Sequence, residues 1–384
     1  MSDGLPRGRL ALLGVVTIGA YGAWFYSFGV LLDPIIEDTG WSEAALTGAY
    51  ALSLLLGGIG GLGGGWLLDR FGSRLVFAAG AALTMASFVA AAAAQSVAVF
   101  TAAGAVAGGS LAALAFYHVT QTVAVRIAPA DPNRAIAVLT IWGAFASVLA
   151  IPAAAWLEAR FGWRTALVVL GAFATTSLLA AAVSVPTPGM PGRQSSLAAI
   201  RARLGNTYVR RFLFAQAVGG MTASVIIVYQ VPAMTSAGLS IGLASTIGGL
   251  RGLAQLGGRL PLAPLVSAIG VGRSMQLAYV VLALGGVLLS VSGTLLPAVL
   301  FAICAGFGIG ALSALAGMYT AEVFDSDSLG TAMGFTSLVF GAVGAAGPAL
   351  AGWTAEVSGS RAWPVLGAAA LAAIAAGVIK PVEG

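Results

Sequence analysis

The chain has 384 residues, is 59% hydrophobic and only 8% charged, and carries a formal net charge of +5. A soluble domain of this length carries about 25% charged residues, so a water-soluble globule is excluded, and repeated apolar runs of about 20 residues mean membrane-spanning helices. The basic balance (pI 9.7) does not imply nucleic acid, because the basic residues are scattered between apolar segments, and the lone Cys304 excludes a disulfide framework.

The first apolar run, 10–32, follows Arg7 and Arg9 in the order of a signal peptide. It is too long for a cleaved segment, carries Tyr21, Trp24 and Tyr26, and lacks a small-residue cleavage site, so it reads as a retained helix. An acidic loop with Asp33, Glu37, Asp38 and Glu43 follows. Further runs lie at 44–68, 75–95, 98–124, 135–157, 165–185, 211–235, 240–266, 274–293, 296–321, 328–353 and 362–380, each near the length a bilayer requires. Turn signals such as DRFGSR, APADPNR and EVFDSDS separate them. The stretch 186–210, rich in proline, glycine, serine and arginine, reads as a linker between a half at 1–185 and a half at 211–384. The predicted fold class is all-α integral membrane, with twelve helices in two six-helix halves. The second run, GGIGGLGGG, supplies small residues for close helix packing, with Gly57, Gly61 and Gly65 on one face.

With the N-terminus inside, the cytoplasmic side holds thirteen of the Lys and Arg residues, among them Arg70, Arg74, Arg126 and Lys380. The outer side holds three, Arg160, Arg164 and Arg361, and two more, Arg251 and Arg259, fall inside the eighth span. This asymmetry places both termini in the cytoplasm. The alanine- and arginine-rich composition suggests a high-GC bacterium, hence its inner membrane.

Between the second and third spans, Gly65, Leu67, Asp69, Arg70, Gly72 and Arg74 form G-x-L-x-D-R-x-G-x-R. Asp69 ends a helix, where a carboxylate can pair with cationic side chains or with the positive end of a facing helix. Such a pair is expected to latch the halves in one state and release in the other; the bland alternative is that the arginines only anchor topology. Gly72 permits the tight turn. The loop resembles the signature of the major facilitator superfamily, which implies that it stabilises an outward-open state. The matching place in the second half, APLVSAIGVGR, has Ser267 where the aspartate would be. FYSFGVLLDPIIEDTGWS (25–42), RFGWRTAL (160–167) and GPALAGWTAEVSGS (347–360) are similar to the monocarboxylate-porter branch and its oxalate/formate-type relatives.

A charge at the bilayer centre costs at least about 2.5–3.5 kcal/mol, so it is a functional candidate by default. Arg251 lies near the middle of the eighth span, and no Asp or Glu lies in the middle of any span. Its planar fork suits a carboxylate, and the resemblance implies the same role for a cation in this helix. The acidic neighbour of that branch is absent, since Ile247 stands one turn earlier, which puts its proton relay in doubt. Arg259 reads as a rim residue or a second step on an anion path. His118, the only histidine, is a candidate proton carrier or a packing residue, with Asp33 an alternative. Tyr21, Trp24 and Tyr26 on the first helix, Tyr117 and Gln121 on the fourth, and Tyr229 and Gln230 on the seventh would line the path. The expected function is secondary or facilitative transport of a small organic anion, a monocarboxylate above all, by a monomer. Proton symport, exchange and facilitated diffusion stay open, and efflux of drugs or hydrophobic metabolites is the alternative. No cofactor, metal or catalytic cluster is expected, because one histidine and one cysteine cannot assemble one.

Overall fold

The computed structural model describes residues 6–188, 203–324 and 329–381. The middle of the expected linker, with Arg193 and Arg201, lies outside the described residues. The described chain is helical throughout. Helices α1 (Arg7–Tyr21) and α2 (Phe28–Thr39) are joined by a π-helical turn over Gly22–Tyr26. They are followed by α3 (Glu43–Ala92), α4 (Val97–Ala115), α5 (Tyr117–Ile127) and α6 (Pro132–Ser184). Then come α7 (Thr207–Ser236), α8 (Ile241–Arg259), α9 (Leu262–Ser290), α10 (Leu295–Val323), α11 (Leu329–Gly344), α12 (Ala346–Ser358) and α13 (Ala362–Val378).

Two of these are two spans joined at one glycine, α3 at Gly72 and α6 at Gly162, and α9 turns in the same way at Gly270 near its start. Gly72 has φ 79° and ψ 173°, a region that only glycine enters without strain. Nine stretches among the described residues are long and apolar enough to cross a membrane. Arg134–Ser184 holds two spans, Ala362–Val378 is a shorter apolar helix, and α8 is polar because it carries Arg251, Gln255 and Arg259. The total is the twelve spans expected. The chain divides into two compact units, Met1–Gly192 and Arg193–Gly384, with six spans each.

Starts are set by local chemistry. Ser42, Ser96, Asp131, Asn206 and Ser240 each accept a hydrogen bond from a backbone N–H in the first turn that follows, opening α3, α4, α6, α7 and α8. Leu75, Leu83 and Val89 on α3 and Val169, Phe173 and Leu179 on α6 stay exposed, as lipid-facing positions of a membrane bundle should.

Several expected boundaries move. The loop predicted from Asp33 is helical to Thr39, where Gly40 caps it at φ 69°. The eighth span, expected to reach 266, stops at Arg259, because Pro261 and Pro264 remove two N–H donors. The first and fourth spans are interrupted at mid-length rather than continuous. The packing stripe of the second span is Gly57, Gly60 and Gly64, not Gly65. A Cβ at Gly57 would lie 2.4 Å from the Ala112 methyl and one at Gly64 1.9 Å from the Ala113 carbonyl oxygen, while at Gly65 nothing lies within 4 Å.

Candidate functional site

In the second unit the site is built between α7 and α8. Arg251 is fully buried, at 0% exposure, and its Nε donates to Gln230 Oε1 at 2.8 Å. The Gln230 amide nitrogen donates in turn to the Ile227 carbonyl at 3.2 Å. That fixes the amide with its oxygen toward the guanidinium. Gly248, one turn before Arg251, leaves room for the glutamine: a Cβ there would sit 3.4 Å from the amide. On the other side α10 comes close, since a Cβ at Gly306 would fall 2.5 Å from the Arg251 carbonyl oxygen. Gln255 follows on the same face of α8 and is buried. Arg251 and Gln230, named separately from the sequence, are thus one hydrogen-bonded pair. Tyr229 is buried beside Gln230 in sequence, on the next position of α7. Arg259 lies at the end of α8, where its guanidinium donates to Ser313 Oγ at 3.1 Å and to the Gly310 carbonyl at 3.4 Å.

In the first unit the residues gather around two helix interruptions. The π turn at Gly22–Tyr26 lies against the break between α4 and α5, where Phe116 is extended at ψ 177°. Tyr21 stacks on Phe116 with ring centroids 3.9 Å apart, and Tyr117 lies 5.2 Å from Tyr21. Tyr26 completes the group at 6.4 Å from Tyr21. Tyr21, Tyr26, Phe116, Tyr117 and Gln121 are all half-buried.

Trp24 and His118 each find a hydrogen-bond partner within the unit. Trp24 is buried among α3 and α4. Its indole N–H donates to Ser53 Oγ at 2.9 Å, and its ring lies over Gly104 and Gly108. His118 Nε2 lies 3.0 Å from the Ala113 carbonyl oxygen. A carbonyl only accepts, so Nε2 carries the proton. The helix break takes away that carbonyl's backbone donor, and the imidazole replaces it. His118 therefore heals the break.

At the signature loop, Asp69 Oδ1 pairs with Arg126 Nη2 of α5. Arg126 belongs to the same unit as Asp69. Arg126 also donates to the carbonyls of Leu68 at 3.3 Å and Pro188 at 3.4 Å. Arg70 lies over the rings of Trp66 and Phe71, and Arg74 is exposed. Arg126 was foreseeable as the cation that ends the fourth span, one turn from the membrane edge. Phe116 left no comparable mark, because neither Gly nor Pro stands there, and Gly22 at the π turn is one of several glycines in its run.

A polytopic bundle of long apolar helices with interrupted spans and a fully buried arginine fits the class of membrane transporters. The chain belongs to the Major Facilitator Superfamily, which it matches over residues 13–211 and 212–382; it is a transporter and not an enzyme. Among solved structures it is similar to a mutant of the nucleoside transporter NupG, at TM-score 0.81 and 14% identity, covering 97% of this chain and 98% of that one. It is also similar to a bacterial homologue of the human lysosomal transporter Spinster, solved inward-facing and unoccupied, at TM-score 0.75 and 15% identity over 98% and 97% of the two chains. A POT family transporter in complex with 5-aminolevulinic acid matches at TM-score 0.76 and 10% identity over 98% and 96%. No curated protein matches the sequence.

Proposed function

We propose that this transporter moves a small organic anion, a monocarboxylate above all, across a bacterial inner membrane by alternating access. In this reading residues 1–185 and 211–384 are the two halves, 186–210 joins them, and both termini are cytoplasmic, on the strength of the arginine asymmetry. Arg251 is the observation that carries the substrate class. Its guanidinium keeps its charge at every physiological pH. It is fully buried, and the amide that holds its Nε is neutral. A buried, permanently charged guanidinium attracts an anion, and its planar fork matches a carboxylate. Gln230 orients the fork, and an opening motion must uncover it before substrate can arrive.

The half-buried tyrosines of the first unit favour the second reading, efflux of hydrophobic metabolites. Uptake of labelled carboxylates into proteoliposomes separates the two. Loss of uptake in Arg251→Ala, with partial recovery in Arg251→Lys and both variants folded, supports the anion reading. Uptake indifferent to Arg251→Ala moves the site elsewhere, and the absence of any carboxylate uptake by the unmodified protein leaves the efflux reading.

A further inference from the structure

We propose that the aromatic cluster at the paired helix interruptions of the first unit is a ring-binding subsite, and that the transported anion is an aryl carboxylate. The aryl part of this assignment stands on the first unit alone; the carboxylate part rests on the anion reading of Arg251.

The backbone supplies the first argument. In a regular α-helix, residues five apart point about 140° away from each other. A π turn closes i to i+5 and brings them nearly in line. Tyr21 and Tyr26 are five apart across such a turn, and their rings lie 6.4 Å apart. The second interruption delivers Phe116 and Tyr117 to the same place, with Phe116 stacked on Tyr21 at 3.9 Å. An α-helix forgoes regular hydrogen bonds in a membrane only where protein or a water-filled cavity repays them. In transporters built of repeated helix triplets, interruptions at corresponding spans mark the substrate site. The first and fourth spans are the first helices of the two triplets of this unit, and these are the two interrupted spans.

Exposure supplies the second argument. From Leu10 to Ile36 no residue of the first span is exposed. The helix therefore does not face lipid, unlike α3 with Leu75 and Leu83. Within that sheathed helix Tyr21 and Tyr26 are only half-buried, so part of each ring is left uncovered on a helix that does not face lipid. The Tyr117 hydroxyl closes the far side against Gly143, where a Cβ would lie 1.7 Å from it. Four half-buried rings in one cluster offer stacking and edge-to-face partners to a planar ring, and less to an aliphatic group of equal size.

The test uses the purified full-length protein in detergent, by isothermal titration. The probes are benzoate, cyclohexanecarboxylate (the same size without a π face) and benzamide (the ring without the charge). Benzoate is expected to bind on the order of five-fold tighter than cyclohexanecarboxylate. Tyr21→Leu and Phe116→Leu should bring that ratio to one, while Tyr21→Phe, which keeps the ring, should preserve it. Equal affinities in the unmodified protein, a preference that survives both leucine variants, or no binding of any ring compound would each overturn the subsite. Arg251→Gln reports separately. If it abolishes binding of both acids and leaves benzamide unchanged, the anion reading stands; if benzamide binds as tightly as benzoate and Arg251→Gln changes nothing, the ring subsite survives and the carboxylate assignment fails.

Discussion

Replacing Gly64 and Gly65 by alanine, one at a time, should give opposite results from adjacent positions. A methyl at Gly64 would lie 1.9 Å from the Ala113 carbonyl oxygen and 2.9 Å from its carbon. Both are backbone atoms, so no rotamer change relieves the clash. Reaching even 3.0 Å requires the second and fourth spans to part by about 1 Å. Overpacking of this kind costs about 1–3 kcal/mol. The same carbonyl accepts from His118, so disturbing it adds about 1 kcal/mol, roughly offset by the helix propensity gained from alanine. The net loss is about 1–3 kcal/mol, or a fall in Tm of roughly 1–4 °C for a chain of this size. At Gly65 nothing lies within 4 Å, so alanine there only gains propensity, up to about 1 kcal/mol, and Tm should hold or rise slightly. Thermal unfolding of the purified variants in one detergent measures both. A Gly64→Ala protein as stable as its parent, or a Gly65→Ala protein less stable than Gly64→Ala, would refute the packing. A stable Gly65→Ala variant that has lost uptake would locate the role of that glycine in a different conformational state, as a gating residue requires.

Together α1 and α2 span 33 residues, about 50 Å against a hydrocarbon core of about 30 Å, so Asp38, next to the last residue of α2, lies beyond that core. The hydrogen bond from Arg164, followed by that from Trp163, holds its carboxyl below the usual value of 3.8. Its contribution is therefore complete above 3.8 and lost as pH falls through the lowered value. Asp38→Asn should lower Tm at pH 7 and match its parent at the acid end, and a Tm difference independent of pH would contradict this. Ser224→Ala should cost about 1–3 kcal/mol, because Ser224 Oγ donates at 2.8 Å to the Gly344 carbonyl, which faces Pro348 four residues on with no N–H to offer. Pro348→Ala in the same chain should recover part of that loss, and no recovery in Tm would show that the serine acts otherwise. Asp69→Asn and Arg126→Gln should be non-additive by about 0.5–1 kcal/mol in a double-mutant cycle, since Asp69 is 41% exposed and Arg126 12%; additive effects would deny that the pair couples.

The spans were legible because twenty apolar residues in a row leave the backbone no option in lipid but a helix. The turns at Gly72 and Gly162 were legible for a similar reason, since each stands in R-F-G-x-R at the end of an apolar run. Arg251 announced itself as a charge where charge is expensive, and the partnership with Gln230 followed only from the fold, because 21 residues separate them. Interruptions were invisible. The break at Phe116 has no glycine or proline to announce it, and Gly22 at the π turn does not stand out among the other glycines of its run. His118 was ambiguous for the same cause: without the break, the Ala113 carbonyl needs no side chain. Asp69 was correctly singled out as a charge needing a partner, but composition cannot choose between Arg126 within its unit and a partner elsewhere.

The two R-F-G-x-R turns show how one motif acquires two uses. Gly72 and Gly162 adopt nearly the same conformation, φ 79° and ψ 173° against φ 75° and ψ 165°. What differs is the residue after the glycine. Trp163 donates to Asp38 and so ties its turn to the end of the first span. Ser73 accepts from the Thr187 N–H at 2.7 Å, donates to the Val185 carbonyl at 2.8 Å, and its own N–H donates to the Thr187 carbonyl at 3.1 Å. The exit of the sixth span is thereby sewn to the signature turn, with Arg126 reaching both Asp69 and Pro188. The second unit repeats the plan with other side chains. Gln276 donates to the Ile379 carbonyl at 2.9 Å, the Tyr319 hydroxyl donates to that of Lys380 at 2.7 Å, and Gly272 packs on Pro381. In each unit the chain leaving the last span is bonded beside the turn that follows the second. A charge cluster that looked from its sequence like a latch between halves is, within its own unit, the anchor of the chain that leaves it.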